Sequence, residues 1–185
     1  MSPAPNATPW RVVNIVLAAL LALALVVVVF VAVLGPKVFP GTSKAENQKQ
    51  QQYVAVTGAA RTALDAFLSV DYKRMDPLQD RLLKLSTGRF KRQYNAARVN
   101  IKAAAQSARV VAAPTVREVG INQIKDGKAT AVVAADLVRK NSATKKKKAT
   151  KACPHAGATC LYFRFTVELT ETSGGWKLSD VEPVS

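Results

Sequence analysis

The stretch LYFRFTVELT, Leu161 to Thr170, decides the fold. Leu161, Phe163, Phe165, Val167 and Leu169 alternate with Tyr162, Arg164, Thr166, Glu168 and Thr170. Successive side chains of extended backbone point to opposite faces, so this period of two predicts a strand with one face on a core and one in water. Such one-sided burial belongs to antiparallel sheets. Downstream, Ser173, Gly174 and Gly175 turn the chain into a last strand, Trp176 to about Pro183, with Trp176 and Leu178 facing inward. Upstream, Val116 to Ile124 and Lys128 to Arg139 read as two more strands joined at Asp126 and Gly127, a hairpin-turn pair. About four strands are predicted.

Ahead of Pro114 the period becomes helical. Tyr53, Val56, Ala60, Ala63, Leu64, Phe67 and Leu68 recur at spacings of three and four, one buried stripe on a helix running to about Val70. Ser43 and Glu46 have capping-box spacing at its start, and the glutamine-rich turns from Gln48 to Gln52 predict an exposed neck. A short helix follows, with Asp76 as N-cap, Pro77 in the first turn, and Leu78, Leu82 and Leu85 on one face. Ser86, Thr87 and Gly88 then open a third helix to about Ala108. Its inner stripe is Phe90, Tyr94, Ala97, Ile101 and Ala104, and its cations Arg89, Lys91, Arg92, Arg98 and Lys102 are expected in solvent. Helices first and an antiparallel sheet after them give an α+β domain with the helices on one sheet face. No internal repeat is present.

In front of this domain stands VVNIVLAALLALALVVVVFVAVL, Val12 to Leu34, an uncharged run with Asn14 as its only strongly polar side chain. As helix it reaches about 34 Å at 1.5 Å per residue. That exceeds a hydrocarbon core of about 30 Å, and lipid requires a lone span to be helical. It is longer than the apolar region of a secretory signal, and Gly35, Pro36 and Lys37 offer a weak cleavage site. The sequence therefore divides into a short polar tail (1–11), a transmembrane helix (12–34), a linker (35–45) and one domain (46–185).

Charge bias and cysteine usage disagree about sidedness. Arg11 precedes the span and Lys37, Lys44 and Lys49 follow it, which alone would hold the domain in the cytoplasm. Long domains translocate largely regardless of that bias. Cys153 and Cys160 are the only cysteines, a close pair in a loop-like stretch, and read as a disulfide formed in an oxidising compartment. Closing eight residues contributes roughly 2.5 kcal/mol on the chain-entropy model. The domain is expected outside the cytoplasmic membrane, on a single-pass protein of the plasma membrane.

Zinc is the competing use of Cys153, His155 and Cys160. A structural site needs a fourth ligand, and the chain has one histidine and no third cysteine, leaving only Asp or Glu to complete it. With that histidine in a loop, a Ser-His-Asp arrangement has no base. Asp65 and Asp71, near the end of the first domain helix, are the acids placed for pocket chemistry, but Asp65 can equally face water. No metal, cofactor or catalytic residue is expected, and the chain reads as non-enzymatic.

Charge supplies the other candidate. The chain carries 27 Lys and Arg against 12 Asp and Glu, and Arg11 is the one basic residue ahead of Pro36, so the domain holds +14 of the net +15. Arg139, Lys140, Lys145, Lys146, Lys147, Lys148 and Lys151 form the densest cluster. The plainest reading is a mobile, solvated hairpin loop. The functional one is a patch for anionic lipid headgroups or acidic polymers. Nucleic acid is not expected, because no aromatic-rich basic platform accompanies the lysines.

The segment ALDAFLSVDYKRMDPLQDRLLKLSTGRFKRQY (Ala63 to Tyr94) and the closing GGWKLSDVEPV (Gly174 to Val184) resemble the Mce-associated membrane proteins of actinobacteria. The layout of anchor, three helices and curved antiparallel sheet is similar too, apart from the first residues and the lysine insert. The resemblance implies a cone-shaped fold like nuclear transport factor 2 (NTF2-like) and the periplasmic part of the type IV secretion scaffold VirB8. It also implies an accessory role beside Mce-type lipid-import transporters, with transporter subunits or other envelope proteins as partners. Cone-shaped folds can enclose an apolar pocket, here expected among Phe67, Leu82, Phe163 and Phe165. The sequence thus predicts an accessory protein that stabilises an Mce-type complex through protein contacts; the alternatives are a lipid-binding carrier and a VirB8-like envelope scaffold.

Overall fold

In the computed structural model, residues 8–38 and 44–184 are described, with side chains described at 14–18, 20–30, 44 and 46–184. The chain divides into two units, 1–48 and 49–185.

The first unit is dominated by α1, Thr8–Val38. The helix begins inside the predicted tail, with Pro9 in the first turn where a missing N–H is tolerated. It also runs past Pro36, where the sequence predicted its end. Ile15, Leu17, Leu20, Leu23, Val26 and Phe30 are all more than half exposed, so large apolar side chains point outward along the described part of the helix. Among the described residues no helix is long and apolar enough to cross a membrane. The described side chains of α1 reach from Asn14 to Phe30, about 25 Å at helical rise. The remaining side chains of the 12–34 stretch, and Ser43 of the predicted capping box, lie outside the described residues.

The second unit contains α2 (Lys44–Leu68, which begins in the first), β1 (Val70–Asp71), α3 (Met75–Lys84), α4 (Gly88–Ala108), β2 (Val111–Lys125), β3 (Lys128–Lys140), β4 (Thr159–Thr172) and β5 (Gly175–Pro183). The five strands form one antiparallel sheet in the order β1-β2-β3-β4-β5. The strand missed in the sequence is β1, whose two residues pair with Val111 and Ala112 and are too few to show a period. Strand β2 starts earlier than predicted and contains Pro114. Because β1 covers only the first two residues of β2, the remaining outer edge tolerates a residue without an N–H. The β2–β3 hairpin turns at Asp126 and Gly127, both at positive φ (51° and 67°), as a two-residue primed turn requires.

The core lies between the helices and one sheet face. Ala129, Ala131, Val133, Ala135 and Leu137 of β3, with Phe165, Val167 and Leu169 of β4 and Leu178 of β5, pack with Val56, Ala60, Ala63, Leu64 and Leu68 of α2 and Leu82 of α3. The alternation read in β4 is the observed one. The stripe of α2 begins at Val56, since Tyr53 is 47% exposed. On α4, Ala105 is buried and Ala104 exposed, one position off the predicted stripe.

Two predicted caps are replaced by other contacts. Helix α3 starts at Met75 with Arg74 as N-cap and no side-chain cap bond, because Asp71 already closes the turn by accepting from the Lys73 N–H (3.0 Å) and Arg74 Nε (3.0 Å). Asp76 instead accepts from Lys102 Nζ at 2.7 and 2.8 Å. At the start of α4, Thr87 makes no side-chain cap; its N–H donates to the Leu178 carbonyl (2.8 Å), and the Leu178 N–H donates to that of Leu85 (3.0 Å). The α3–α4 turn is thereby tied to β5.

Candidate functional site

The β3–β4 connection gathers the residues that the sequence singled out for charge and for the disulfide. Asn141 sits in extended backbone and caps a 3-10 turn, Ser142–Thr144. Its side chain accepts from the Thr144 N–H (3.0 Å), while its own N–H donates to Thr144 Oγ1 (2.9 Å). Thr144 is buried, and its hydroxyl also donates to the Gly157 carbonyl at 2.7 Å. Ser142 Oγ donates to the carbonyl of Ala108 at the end of α4 (3.1 Å). Further along, the Gly157 N–H donates to Lys147 O (2.8 Å), and Thr150 and Cys153 exchange backbone bonds. Cys153 is joined to Cys160 by the expected disulfide, Cα–Cα 5.4 Å, which fastens the loop to β4. Tyr162 Oη donates to Ala152 O at 3.2 Å. The lysine run is therefore carried on a hydrogen-bonded, crosslinked support, where a plain solvated hairpin was the simplest expectation.

Arg139, Lys140, Lys145 to Lys148 and Lys151 are all exposed on this support. Lys147 Nζ donates to Thr159 Oγ1 at 3.0 Å. None of the seven is in a salt bridge among the described residues, and no acid occurs between Asp136 and Glu168. Lys140 and Lys145 open onto a concavity of about 370 Å³, at the small end of ligand pockets, completed by Tyr72, Arg109, Asn141, Ser142, Ala156 and Gly157. Arg109 and Tyr72 come from other parts of the chain, and sequence reasoning had not joined them to the patch. The usable signal was position: Arg109 directly follows α4.

Of the four residues proposed for an apolar pocket, Leu82 and Phe165 are buried in the core, and Phe67 and Phe163 are half-buried against it. Phe67 meets Phe90 and Phe165 edge to face, with ring centroids 5.6 and 6.2 Å apart, and Phe163 stacks on Phe165 at 5.5 Å. Leu82 is fully buried in the same cluster. The rings pack against one another between α2, α4 and the sheet. Phe163 alone of the four touches a described cavity, a shallow one on the outer sheet face with Ala134, Asp136, Tyr162, Arg164 and Val184.

The candidate acids are committed elsewhere. Asp65 accepts from Arg81 (3.3 Å) and is half-buried. The Lys73 backbone N–H and then the Arg74 guanidinium hold the Asp71 carboxyl below its usual range, so it is ionised and cannot supply a proton near neutrality. Burial pushes the Tyr94 phenol up. Among the described residues no group of His, Cys, Asp and Glu is arranged for a metal ion.

The helix cations expected in solvent are largely paired. Arg89 bonds Asp180 of β5, Arg98 bonds Asp80 of α3 (3.2 Å), and Lys102 bonds Asp76. Gln79, buried on α3, donates to the Arg98 carbonyl at 2.8 Å.

Residues 13–185 match the family described as "Uncharacterized protein Rv1363c/MT1408-like". No curated protein matches the sequence. Among solved structures, CagV, a VirB8 homologue of the type IV secretion system of Helicobacter pylori, is similar with a TM-score of 0.54 at 11% identity, covering 71% of this chain and 98% of that one. An IcmL-like type IV secretion protein of Legionella pneumophila gives 0.53 at 15% identity, covering 72% and 92%. The periplasmic domain of DotI gives 0.50 at 16% identity, covering 71% and 94%. These likenesses establish a VirB8-like α+β fold.

Proposed function

We propose that this chain, which belongs to the Rv1363c/MT1408-like family, is a non-enzymatic scaffold of a cell-envelope assembly. An N-terminal helix would hold it in the membrane, and the α+β domain would bind partner proteins on the extracytoplasmic side. The observation that carries the proposal is the shared fold with secretion components, over nearly the whole of their solved domains. One of those similar structures, that of DotI, is a periplasmic domain. Support for the anchor comes from the uncharged run 12–34 and from the large apolar side chains exposed along the described part of α1, a surface suited to lipid rather than water. Support for the outer side comes from the disulfide.

Anchoring confines the domain to the membrane surface and raises its effective concentration beside integral partners. The outer sheet face, with Tyr162 70% exposed, and the basic loop beside it are the proposed contact surfaces. The resemblance to Mce-associated proteins makes a lipid-import transporter one candidate partner. A lipid-binding carrier is the competing reading, and lipid in the eluate without a protein partner would favour it.

Crosslinking in native membranes, extraction in mild detergent and mass spectrometry would test the proposal. It expects integral envelope subunits in the eluate, and lower levels of those subunits when this gene is deleted. A chain that elutes alone, with subunit levels unchanged by deletion, would contradict it. Mce subunits in the eluate would identify the lipid-import setting.

A further inference from the structure

The end of α4 holds a residue that the backbone alone would not select. Arg109 is the C-cap, at φ 52° and ψ 50°, with its N–H turned back to the carbonyl of Gln106. This left-handed conformation is where helices usually place glycine, or sometimes asparagine, because a Cβ is crowded there. Among the described residues the other positive-φ residue that is not glycine, Asp126, is of a type that tolerates the conformation in a hairpin turn. Arginine has no such local reason. Unfavourable backbone retained at one position points to a use for the side chain.

Arg109 lines the concavity with Lys140 and Lys145. Three cations thus converge from the end of α4, the end of β3 and the turn beyond it, and none of them is in an ion pair among the described residues. The wall between them is fixed by the Asn141–Thr144 capping box and by the Ser142 bond to Ala108, so these elements are held together before any ligand arrives. Tyr72, with Lys73 Nζ 5.8 Å above its ring, forms part of the rim. Arginine offers a planar fork that matches phosphate oxygens, and lysine adds compact point charges.

We propose that this concavity binds the phosphate group of an anionic ligand, gripped by Arg109, Lys140 and Lys145. The group could belong to a phosphodiester headgroup or to a free phosphate; the chemistry recognised is the same. The site stands whether or not the scaffold proposal does.

Calorimetric titration of the full chain in uncharged detergent, at an ionic strength of about 0.15 M to screen distant charges, tests it with two probes. Inorganic phosphate represents the free anion and glycerophosphoglycerol the lipid headgroup. Saturable binding of either probe is expected, and the preferred probe identifies the source. The double variant Arg109→Gly/Lys140→Ala should weaken binding at least tenfold. Lys91→Ala/Arg92→Ala, which removes the same charge from exposed positions on α4, should change it less than twofold. Arg109→Gly relieves the left-handed backbone, so on its own it should keep or raise the thermal midpoint while weakening binding. Lys145→Ala should also weaken binding, at an exposed position in ordinary helical backbone. No binding of either probe, or equal weakening in the two double variants, would overturn the proposal.

Discussion

The helical face and the β3–β4 loop use charge in opposite ways. On the helices and strands, six of the seven aspartates are in ion pairs, most of which join different elements. Arg81–Asp65 links α3 to α2, Arg98–Asp80 and Lys102–Asp76 link α4 to α3, Arg89–Asp180 links α4 to β5, and Arg117–Asp136 links β2 to β3. At the end of β3 and in the loop after it, seven cations stand without a carboxylate among the described residues, on a support of backbone bonds, a capping box and a disulfide. On the first surface nearly every aspartate is paired with a cation. On the second, charge is left available, and crowding it there is a cost that the support has to offset. The paired charges join elements of the fold, whereas the cations of the loop are in no ion pair among the described residues.

The largest expected effect breaks the helical side itself. Leu64→Ala or Leu178→Ala removes a fully buried side chain and should cost about 2–5 kcal/mol in denaturant unfolding. Next comes the support of the loop. Cys153→Ser/Cys160→Ser should cost roughly 2.5 kcal/mol on the chain-entropy model, with hydrogen exchange accelerating at 144–158 before it does in β3 and β4. Uniform acceleration across the sheet would erase the distinction between the two regions.

Charge removal sharpens the comparison at a smaller scale. Arg98→Ala/Lys102→Ala deletes two exposed pairs worth about 0–1 kcal/mol each and should destabilise the domain slightly. Replacing Lys145 to Lys148 by glutamine should do the reverse, raising stability by less than about 1 kcal/mol at low salt as repulsion is relieved. The smallest effect is spectroscopic. In an alkaline absorbance titration Tyr94 should ionise at higher pH than a free tyrosine, because burial keeps its proton on. The native state then binds more protons than the unfolded one, so stability should fall as pH rises past about 10.

Much of the fold was legible because it is written in periods. The alternation in β4, the Asp126-Gly127 turn and the stripes on α2 and α4 each repeat over enough residues to fix a face. What escaped the sequence depends on single contacts between distant segments. Val70 and Asp71 form a strand only because Val111 and Ala112 lie beside them. Asp76 looks like a cap until Lys102 takes its carboxylate, and Thr87 looks like one until its N–H is given to Leu178. The candidate site divides the same way. The lysine run and the cysteine pair are local and could be read, but Arg109 joins them through the end of α4, and no spacing in the sequence encodes that meeting.

If the outer sheet face and its basic loop are the proposed partner surface, the helical face should make no such contact. Photo-crosslinking in intact cells tests it directly, with a photoreactive residue replacing Tyr162 on the sheet face in one strain and Lys91 on α4 in another. An adduct with an integral envelope protein is expected from position 162 and none from position 91. An adduct from position 91 alone, or none from either position, would contradict it.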